Sequence, residues 1–306
     1  MCRRQAAAYN RIALCLSKSC PQRFPSPPAR VILPVEEYAQ LTVVHSGSPF
    51  EILRGKYVRQ RFAPHVHDTY AIGAMESGAA KCKSRGREST HAPGDLITIE
   101  PGEVHTGEPL SAMGWSYRML YIPREVMARL ENRDGQMPRF ARTGATDPEL
   151  SARIARVHAY LERNADPLHQ ETALVDTLRA ICERHAKPTA LSAPRTSPRS
   201  LQRVRDYLDE HFAEHVCLAD LARVAELSAF HLIRQFRRYY GVPPHRHLEL
   251  VRVQRAKMML QQGARISDVA YATGFSDQSH LTRQFKRVCG VTPGSYARSY
   301  TRSYTR

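Results

Sequence analysis

The order of hydrophobic and polar positions divides the chain into a β-rich part and two helical parts. From about residue 35 to residue 121, short extended runs are separated by glycines and prolines at close spacing, which is typical of an all-β sandwich or barrel. Apolar residues then recur at helical spacing on one face: Leu150, Ile154, Val157 and Leu161. The pattern predicts an α+β protein with two domains, a β-barrel carrying a helical hairpin and an all-α C-terminal domain.

The hairpin is predicted from two amphipathic helices. Asp147 and Pro148 suit the start of the first helix, and the second begins near Pro167. Their apolar stripe packs against the barrel or joins two copies in a homodimer, and these two roles do not exclude each other. The predicted regions are an extension (1–34), the barrel (35–122), a helical linker or dimerisation region (123–187), an interdomain linker rich in proline (188–199), the C-terminal domain (200–298) and a tail (299–306).

Charge is distributed unevenly between these regions. Of the net charge of +16, residues 1–34 carry +6, residues 35–200 carry +2 and residues 201–306 carry +8. The C-terminal domain is therefore the predicted folded region with a large positive excess, which suits either a polyanion-binding surface or a solvated basic face. Charge alone does not decide between them.

An internal repeat in the C-terminal domain favours the polyanion-binding surface. The segment 218–244 aligns with 266–293, and the triplet 234–236, Arg-Gln-Phe, recurs at 283–285. The offset is 48 residues before a central turn and 49 after it, so the second copy has one extra residue at the start of its second helix. Each copy reads as a short Ala-rich helix, a turn, a capping serine (Ser228 or Ser276) and a basic helix, which is the layout of a helix-turn-helix unit.

The basic helices are predicted to read double-stranded DNA. Leu232 and Phe236, and their counterparts Leu281 and Phe285, face the core, which leaves the opposite faces for base edges and phosphates. Those faces carry Phe230, His231, Ile233, Arg234 and Arg237 in the first copy, and Gln278, Ser279, Thr282, Arg283 and Lys286 in the second. Arg234 and Arg283 are the strongest candidates for reading bases. A predicted helix over 244–262 spaces the two units, so that they suit major grooves about 34 Å apart.

Residues 200–298 resemble the tandem helix-turn-helix domain of the AraC/XylS family of bacterial transcription regulators. The resemblance is most specific in the second copy, in the segments 266–270, 274–276 and 290–293. It implies a sequence-specific regulator of transcription. A helical bundle with solvated arginines is the alternative, which the repeat and the local charge disfavour.

The N-terminal region resembles a cupin-type barrel, which in this family is the usual effector-binding domain. The resemblance rests on the segment 63–68, on Gly78, on the pair 94–95 and on the segment 101–105. It implies a pocket for a small-molecule effector. The candidate lining residues are His65, His67, Tyr70, Glu103, His105, Trp115 and Tyr117.

The three histidines of that set are also the types of ligand that transition metals use. Metal-binding cupins supply a glutamate a few residues after the histidine pair, whereas Glu76 lies nine residues beyond His67. We therefore expect a hydrogen-bonding or structural role for His65, His67 and His105, with no metal, no cofactor and no catalytic residue. Two alternatives remain: a constitutive DNA-binding regulator without an effector, and a metal-dependent cupin enzyme fused to a DNA-binding domain.

Cysteine usage and hydropathy predict a cytoplasmic protein. The seven cysteines are odd in number, scattered and free of C-x-x-C pairs, which suits a reducing compartment. The sequence contains no run of about 18 apolar residues, so no membrane span is predicted.

Overall fold

A computed structural model of the protein describes residues 36–45, 49–130, 137–163, 166–187 and 198–301. The predicted extension at 1–34, residues 188–197 of the predicted linker and residues 302–306 of the predicted tail lie outside these ranges. The rest of the predicted tail, 299–301, ends the last helix.

The N-terminal half is built from antiparallel strands, as the rhythm of short extended runs predicts. The strands are β1 (Tyr38–Val44), β2 (Phe50–Tyr57), β3 (Phe62–His65), β4 (Tyr70–Gly78), β5 (Ala80–Ser84), β6 (Arg87–His91), β7 (Asp95–Ile99), β8 (His105–Pro109), β9 (Trp115–Ile122), β10 (Arg139–Phe140), β11 (Gly144–Thr146) and β12 (Ala186–Lys187). Among the described residues they form a six-stranded sheet in the order β1-β2-β9-β4-β7-β11, a four-stranded sheet β3-β8-β5-β6 and the pair β10-β12. The predicted fold class is confirmed.

Strand alternation sends side chains to two separate cores. Trp115, Tyr117 and Met119 on β9 turn into the barrel, while Leu120 and Ile122 on the opposite face join a core beneath the hairpin helices. Successive side chains of a strand point to opposite faces of its sheet, so one strand serves both cores.

Ten helices lie within the described ranges. They are α1 (Arg124–Leu130), α2 (Pro148–Glu162), α3 (Pro167–His185), α4 (Arg199–Glu210), α5 (Leu218–Ala225), α6 (Ala229–Tyr240), α7 (Pro244–Gln261), α8 (Ile266–Ala272), α9 (Gln278–Cys289) and α10 (Pro293–Thr301). None of these described helices is both long enough and apolar enough to cross a membrane.

The hairpin helices pack on the barrel. Asp147 caps α2 by accepting a hydrogen bond from the Leu150 amide at 3.1 Å, as its position predicts. Leu150 and Ile154 are fully buried in the same core as Ile72 of β4. The apolar stripe of the hairpin is therefore covered by the sheet, as the first of its two predicted roles requires. A homodimer stays a prediction.

The barrel and the second helix-turn-helix unit share one continuous core. Phe285 of α9 and Leu260 of α7 belong to the cluster that contains Trp115 and Met119 of the barrel. The first unit has its own core, to which α7 contributes Leu248. The spacer helix α7 therefore connects the two units and also carries the contact with the barrel.

Candidate DNA interface and effector cavity

The two helix-turn-helix units close their turns in the same way. The amide of Leu227 donates to the carbonyl of Ala222 at 3.1 Å, and the amide of Phe275 donates to the carbonyl of Ala270 at 2.9 Å. In each unit the donor lies five residues after the acceptor, in the arrangement that ends a helix and turns the chain sharply. The sequence repeat is thus a repeat of backbone geometry.

The caps of the two basic helices differ. In the first copy Ser228 accepts from the amide of His231 at 3.3 Å, as predicted. In the second copy the prediction of Ser276 is wrong, because Asp277 is the cap and accepts from the amide of His280 at 2.7 Å. Asp277 is the first residue beyond the matched serine, where the register of the repeat changes. A carboxylate at a helix N-terminus also interacts favourably with the helix dipole.

The inner and outer faces of the basic helices lie where the spacing predicts. Leu232, Phe236, Leu281 and Phe285 are all 0% exposed. On the opposite faces, the side chains that are exposed are Phe230, Ile233, Arg234, Arg237, Gln278, Ser279, Arg283 and Lys286, and those that are half-buried are His231 and Thr282. Phe230 is 76% exposed, so an aromatic ring stands at the start of α6 beside the basic residues.

The arginines of the outer faces are available to a ligand. Within the described ranges, Arg234, Arg237 and Arg283 form no salt bridge, whereas Arg203 and Arg223 on neighbouring helices pair with carboxylates. Guanidinium groups without carboxylate partners are free to donate pairs of hydrogen bonds to guanine edges or phosphates.

Lys286 lies on the side of α9 that approaches the barrel. Its backbone carbonyl accepts from the side-chain amide of Gln60 at 3.3 Å. Burial opposes ionisation of Glu37, but backbone amides at residues 58–60 and the charge of Lys286 lower the pKa of that carboxyl. Lys286, one of the residues predicted to contact DNA, thus lies beside an acidic group of the barrel.

Both basic helices end against the barrel. A Cβ atom at Gly241, the C-cap of α6, would lie 2.9 Å from a methyl group of Val104. A Cβ atom at Gly290, the C-cap of α9, would lie 2.6 Å from the Tyr57 hydroxyl, which donates to the Gly290 carbonyl at 3.4 Å. Both glycines have φ near +75°, a conformation that favours glycine. The barrel therefore touches the two candidate DNA-reading helices at equivalent points.

A cavity of about 540 Å³ lies between the barrel and α7, within the range of small-molecule sites. Its barrel wall includes Val66, His67 and Tyr121, and its helical wall includes Leu250 and Val253. Charged and polar side chains also line it, among them Asp68, Arg124, Asp209, His247, Gln254 and Arg255.

A buried ion pair closes one side of this cavity. The Lys257 ammonium of α7 lies 3.3 Å from the Glu51 carboxylate of β2, and the hydroxyls of Tyr296 and Tyr300 donate to the same carboxylate. Burial opposes both charges, but the partner's charge and the two hydroxyls lower the pKa of Glu51, and the carboxylate raises the pKa of Lys257. The pair is charged at neutral pH and holds α7 against the barrel.

Three histidines meet inside the barrel. His65 and His105 are paired across β3 and β8, with ring centroids 4.1 Å apart, and His67 lies 4.9 Å and 5.1 Å from them. One nitrogen of each ring lies within 4.8 Å of the other two. Burial lowers the pKa of all three rings, and neighbouring imidazoles lower those of His65 and His67 further, so the rings are neutral at pH 7.

Comparisons with known proteins agree with this architecture. A model of the AraC-like ligand binding domain matches residues 48–178, and a model of a helix-turn-helix domain matches residues 221–299. YbfI of Bacillus subtilis, an uncharacterized HTH-type transcriptional regulator, is 31% identical over 234 residues, which are 76% of this chain and 85% of YbfI. The chain belongs to the AraC/XylS family of transcription regulators.

Other AraC-type proteins match over most of their length. The transcriptional activator RhaS of Citrobacter koseri is 23% identical over 83% of this chain and 96% of its own. The crystal structure of apo ToxT from Vibrio cholerae has a TM-score of 0.51 and 13% identity, covering 86% of this chain and 97% of ToxT, so the likeness is one of fold. The regulator therefore has a ligand-binding domain followed by DNA-binding helix-turn-helix units.

Five of the residues predicted to bind the effector of this AraC/XylS regulator come together. His65, His67, His105, Trp115 and Tyr117 line a small inner cavity of about 60 Å³. His67 also lines the larger cavity beside α7, so this ring stands between the two spaces.

Two predicted pocket residues need correction. Tyr70 lies on the outward face of β4, where it packs against Phe140 and donates to the Pro138 carbonyl at 2.9 Å. The Glu103 carboxylate accepts from Arg85 and, at 3.0 Å, from Thr143. Strand alternation turns Tyr70 away from the barrel interior, and the polar partners of Glu103 hold it at the edge of the barrel.

The prediction missed the helical wall of the larger cavity. Lys257 and Glu51 are 206 residues apart in the chain, and no local pattern connects them. Tyr121 was within reach of sequence reasoning, because it continues the alternation of Trp115 and Tyr117 along β9.

Proposed function

We propose that this AraC/XylS regulator reads a two-part DNA site with α6 and α9, and that a small molecule bound between the barrel and α7 alters that reading. The protein acts in the cytoplasm by binding rather than by catalysis. Activation is the proposed effect on transcription, because the RhaS relatives are named activators.

One observation carries this proposal. The exposed faces of α6 and α9 present arginines that form no salt bridge with another described residue, while the C-caps of the same helices rest on Val104 and Tyr57 of the barrel. A ligand that favours one position of the barrel relative to α7 therefore changes the contacts of the barrel with the C-terminal ends of both reading helices. A ligand shifts such an equilibrium by its difference in affinity for the two arrangements.

The cavity indicates the chemical class of the effector. Its volume of about 540 Å³ suits a molecule of metabolite size. Leu250, Val253 and Tyr121 suit an apolar part of that molecule, and the polar and charged side chains of the wall, among them His67 and Arg124, offer hydrogen bonds to its polar groups.

Base reading is tested by replacing Arg283 with alanine in the full-length protein. Selection of bound sequences from random DNA first defines the site, and binding to it and to single-base variants is then measured. Arg283→Ala should cost about 1–3 kcal/mol and relax preference in one half of the site. Arg179→Ala removes the same charge from an exposed position of α3 and should leave binding unchanged. Equal loss by Arg283→Ala on all sequences would show that Arg283 contacts only phosphate.

Effector binding is tested by filling the mouth of the cavity. Met258 lines the cavity and is 38% exposed, so Met258→Trp narrows the entrance without disturbing a core position. Small metabolites that raise the melting temperature of the wild type and change its affinity for DNA should lose both effects in this variant. Met113→Trp, at a position 63% exposed on the barrel, is the matched control. A constitutive regulator would show no response to any compound.

A further inference from the structure

A second cavity, of about 600 Å³, lies where two edge strands of the barrel face each other. It is lined by residues within 84–91 and 141–146 and by Asp95, and we call it the edge cleft. None of these residues lines the cavity beside α7. The edge cleft is therefore a separate space, and no part of the proposed function uses it.

The edge cleft is an opening between the two sheets. Strand β6 ends the four-stranded sheet and β11 ends the six-stranded sheet, so each pairs on one side only among the described strands. The walls are joined at two points: Arg85 donates to the Phe140 carbonyl at 2.7 Å, and a Cβ atom at Gly144 would lie 2.6 Å from the His91 ring. Edge strands direct unpaired backbone N–H and C=O groups to their open side, so a ligand in this cleft finds hydrogen-bonding backbone on both walls.

The carboxylates that line the edge cleft already have partners. Asp95 accepts from the Ala92 amide at 2.8 Å and from the Thr146 hydroxyl at 2.8 Å. Glu88 pairs with Lys81 at 2.8 Å. These negative charges are therefore engaged within the barrel and do not call for a bound cation.

Two arginines of the edge cleft are in the opposite situation. Arg87 lies on β6 and Arg142 lies on the segment before β11, so they approach the cleft from different walls. Both are exposed, and neither forms a salt bridge with any residue that the structure describes. The third arginine of the lining, Arg85, is neutralised by Glu100 and Glu103. The charge left uncompensated in the cleft is positive and sits on guanidinium groups, which bind carboxylate and phosphate oxygens in pairs.

The hydroxyl groups of the edge cleft select a second feature of the ligand. Ser84 and Thr143 donate to the Glu103 carboxylate, and Thr146 donates to Asp95. A hydroxyl group has one hydrogen and two lone pairs, so after this donation each oxygen can only accept. A ligand that carries hydroxyl groups of its own complements these acceptors, whereas a bare inorganic anion has little to donate.

We propose that the edge cleft binds a polyhydroxylated anion, with its phosphate or carboxylate between Arg87 and Arg142 and its hydroxyl groups on the serine and threonine oxygens. Sugar phosphates and sugar acids share this chemistry. The regulator then has a second small-molecule site besides the cavity at α7. Binding measured without DNA fails or succeeds independently of the proposed function.

Calorimetric titration of the full-length protein, without DNA, tests the proposal. The probes are glucose 6-phosphate, gluconate, glucose and inorganic phosphate. At least one of the two sugar anions should bind with one molecule per chain, and the better of them identifies the preferred anionic group. Glucose lacks the charge and inorganic phosphate lacks the polyol, so each should bind at least about tenfold more weakly. Equal binding of glucose, or no binding of either sugar anion, would overturn the proposal.

Variants locate the bound probe. Arg87→Gln and Arg142→Gln should each weaken binding about tenfold or more, because each removes charge-assisted hydrogen bonds, and both positions are exposed, so the fold is kept. The double variant Arg156→Gln/Arg179→Gln removes two charges from exposed positions of α2 and α3 and should bind as the wild type does. Met258→Trp, at the cavity beside α7, should also leave binding unchanged. Loss of binding in either control equal to the loss in Arg87→Gln would place the probe elsewhere and refute the assignment.

Discussion

Replacing Glu51 by glutamine removes the negative charge that compensates Lys257 at the contact between barrel and α7. The side chains of Glu51 and Lys257 are 12% and 18% exposed, so the ammonium is left largely buried without a counter-ion. Removing one partner of a buried ion pair costs about 3–5 kcal/mol. Both groups keep some contact with solvent, and the amide oxygen still accepts a hydrogen bond from Tyr296 or Tyr300, so we expect the lower end, about 3 kcal/mol.

The contribution of the Glu51–Lys257 pair to the free energy of unfolding decreases at acid pH. The pKa of Glu51 is lowered from its ordinary value of 4.5, so the unfolded chain binds a proton first as the pH falls. The stabilisation by the ion pair is therefore present above pH 4.5 and is lost as the pH falls through the lowered pKa of the folded state. The Glu51→Gln variant should not show this loss of stability as the pH falls.

Urea unfolding followed by fluorescence measures the effect, because the only tryptophan, Trp115, lies in the core shared by barrel and helices. Glu108→Gln is the matched control, since the Arg61–Glu108 pair is exposed and should contribute less than about 1 kcal/mol. The double variant Glu51→Gln/Lys257→Met should recover most of the loss because it leaves no buried charge. A Glu51→Gln cost within about 0.5 kcal/mol of the Glu108→Gln cost would refute this reasoning.

Three further predictions concern the core, a helix end and a buried base. Phe285→Ala at a fully buried position should lower the free energy of unfolding by about 3–5 kcal/mol, whereas Phe230→Ala at a position 76% exposed should change it little. Gly290→Ala should cost more than Gly263→Ala, because both positions have positive φ but only the first meets the barrel; equal unfolding midpoints would contradict that contact. Burial and neighbouring charges lower the pKa of His158 to about 4, so stability should fall by about 3 kcal/mol from pH 7 to pH 4, and that component should be absent from the pH profile of His158→Gln.

Local sequence patterns were sufficient to predict the elements that are stabilised by residues close together in the chain. The helix starting at Asp147 follows from a cap and a period that act over a few residues, and the two turns follow from the repeat. The cap of α9 was predicted one residue too early, because the repeat aligns Ser276 with Ser228 and the extra residue that follows it, Asp277, is the one that caps the helix. The register of a strand determines which of its side chains point into the barrel. The sequence predicted that a strand lies near Tyr70 but not its register, so it did not place Tyr70 on the outer side of β4.

The sequence by itself determined the two classes of domain, the duplicated unit and the side chains that α6 and α9 present to solvent, because periodicity and capping depend on near neighbours in the chain. Only the tertiary structure decided that the hairpin stripe is covered by the barrel, that α6 and α9 both end on it, and that Glu51 meets Lys257. The packing of separate domains depends on complementary surfaces built from distant segments, and such a surface has no period and no fixed spacing in the sequence.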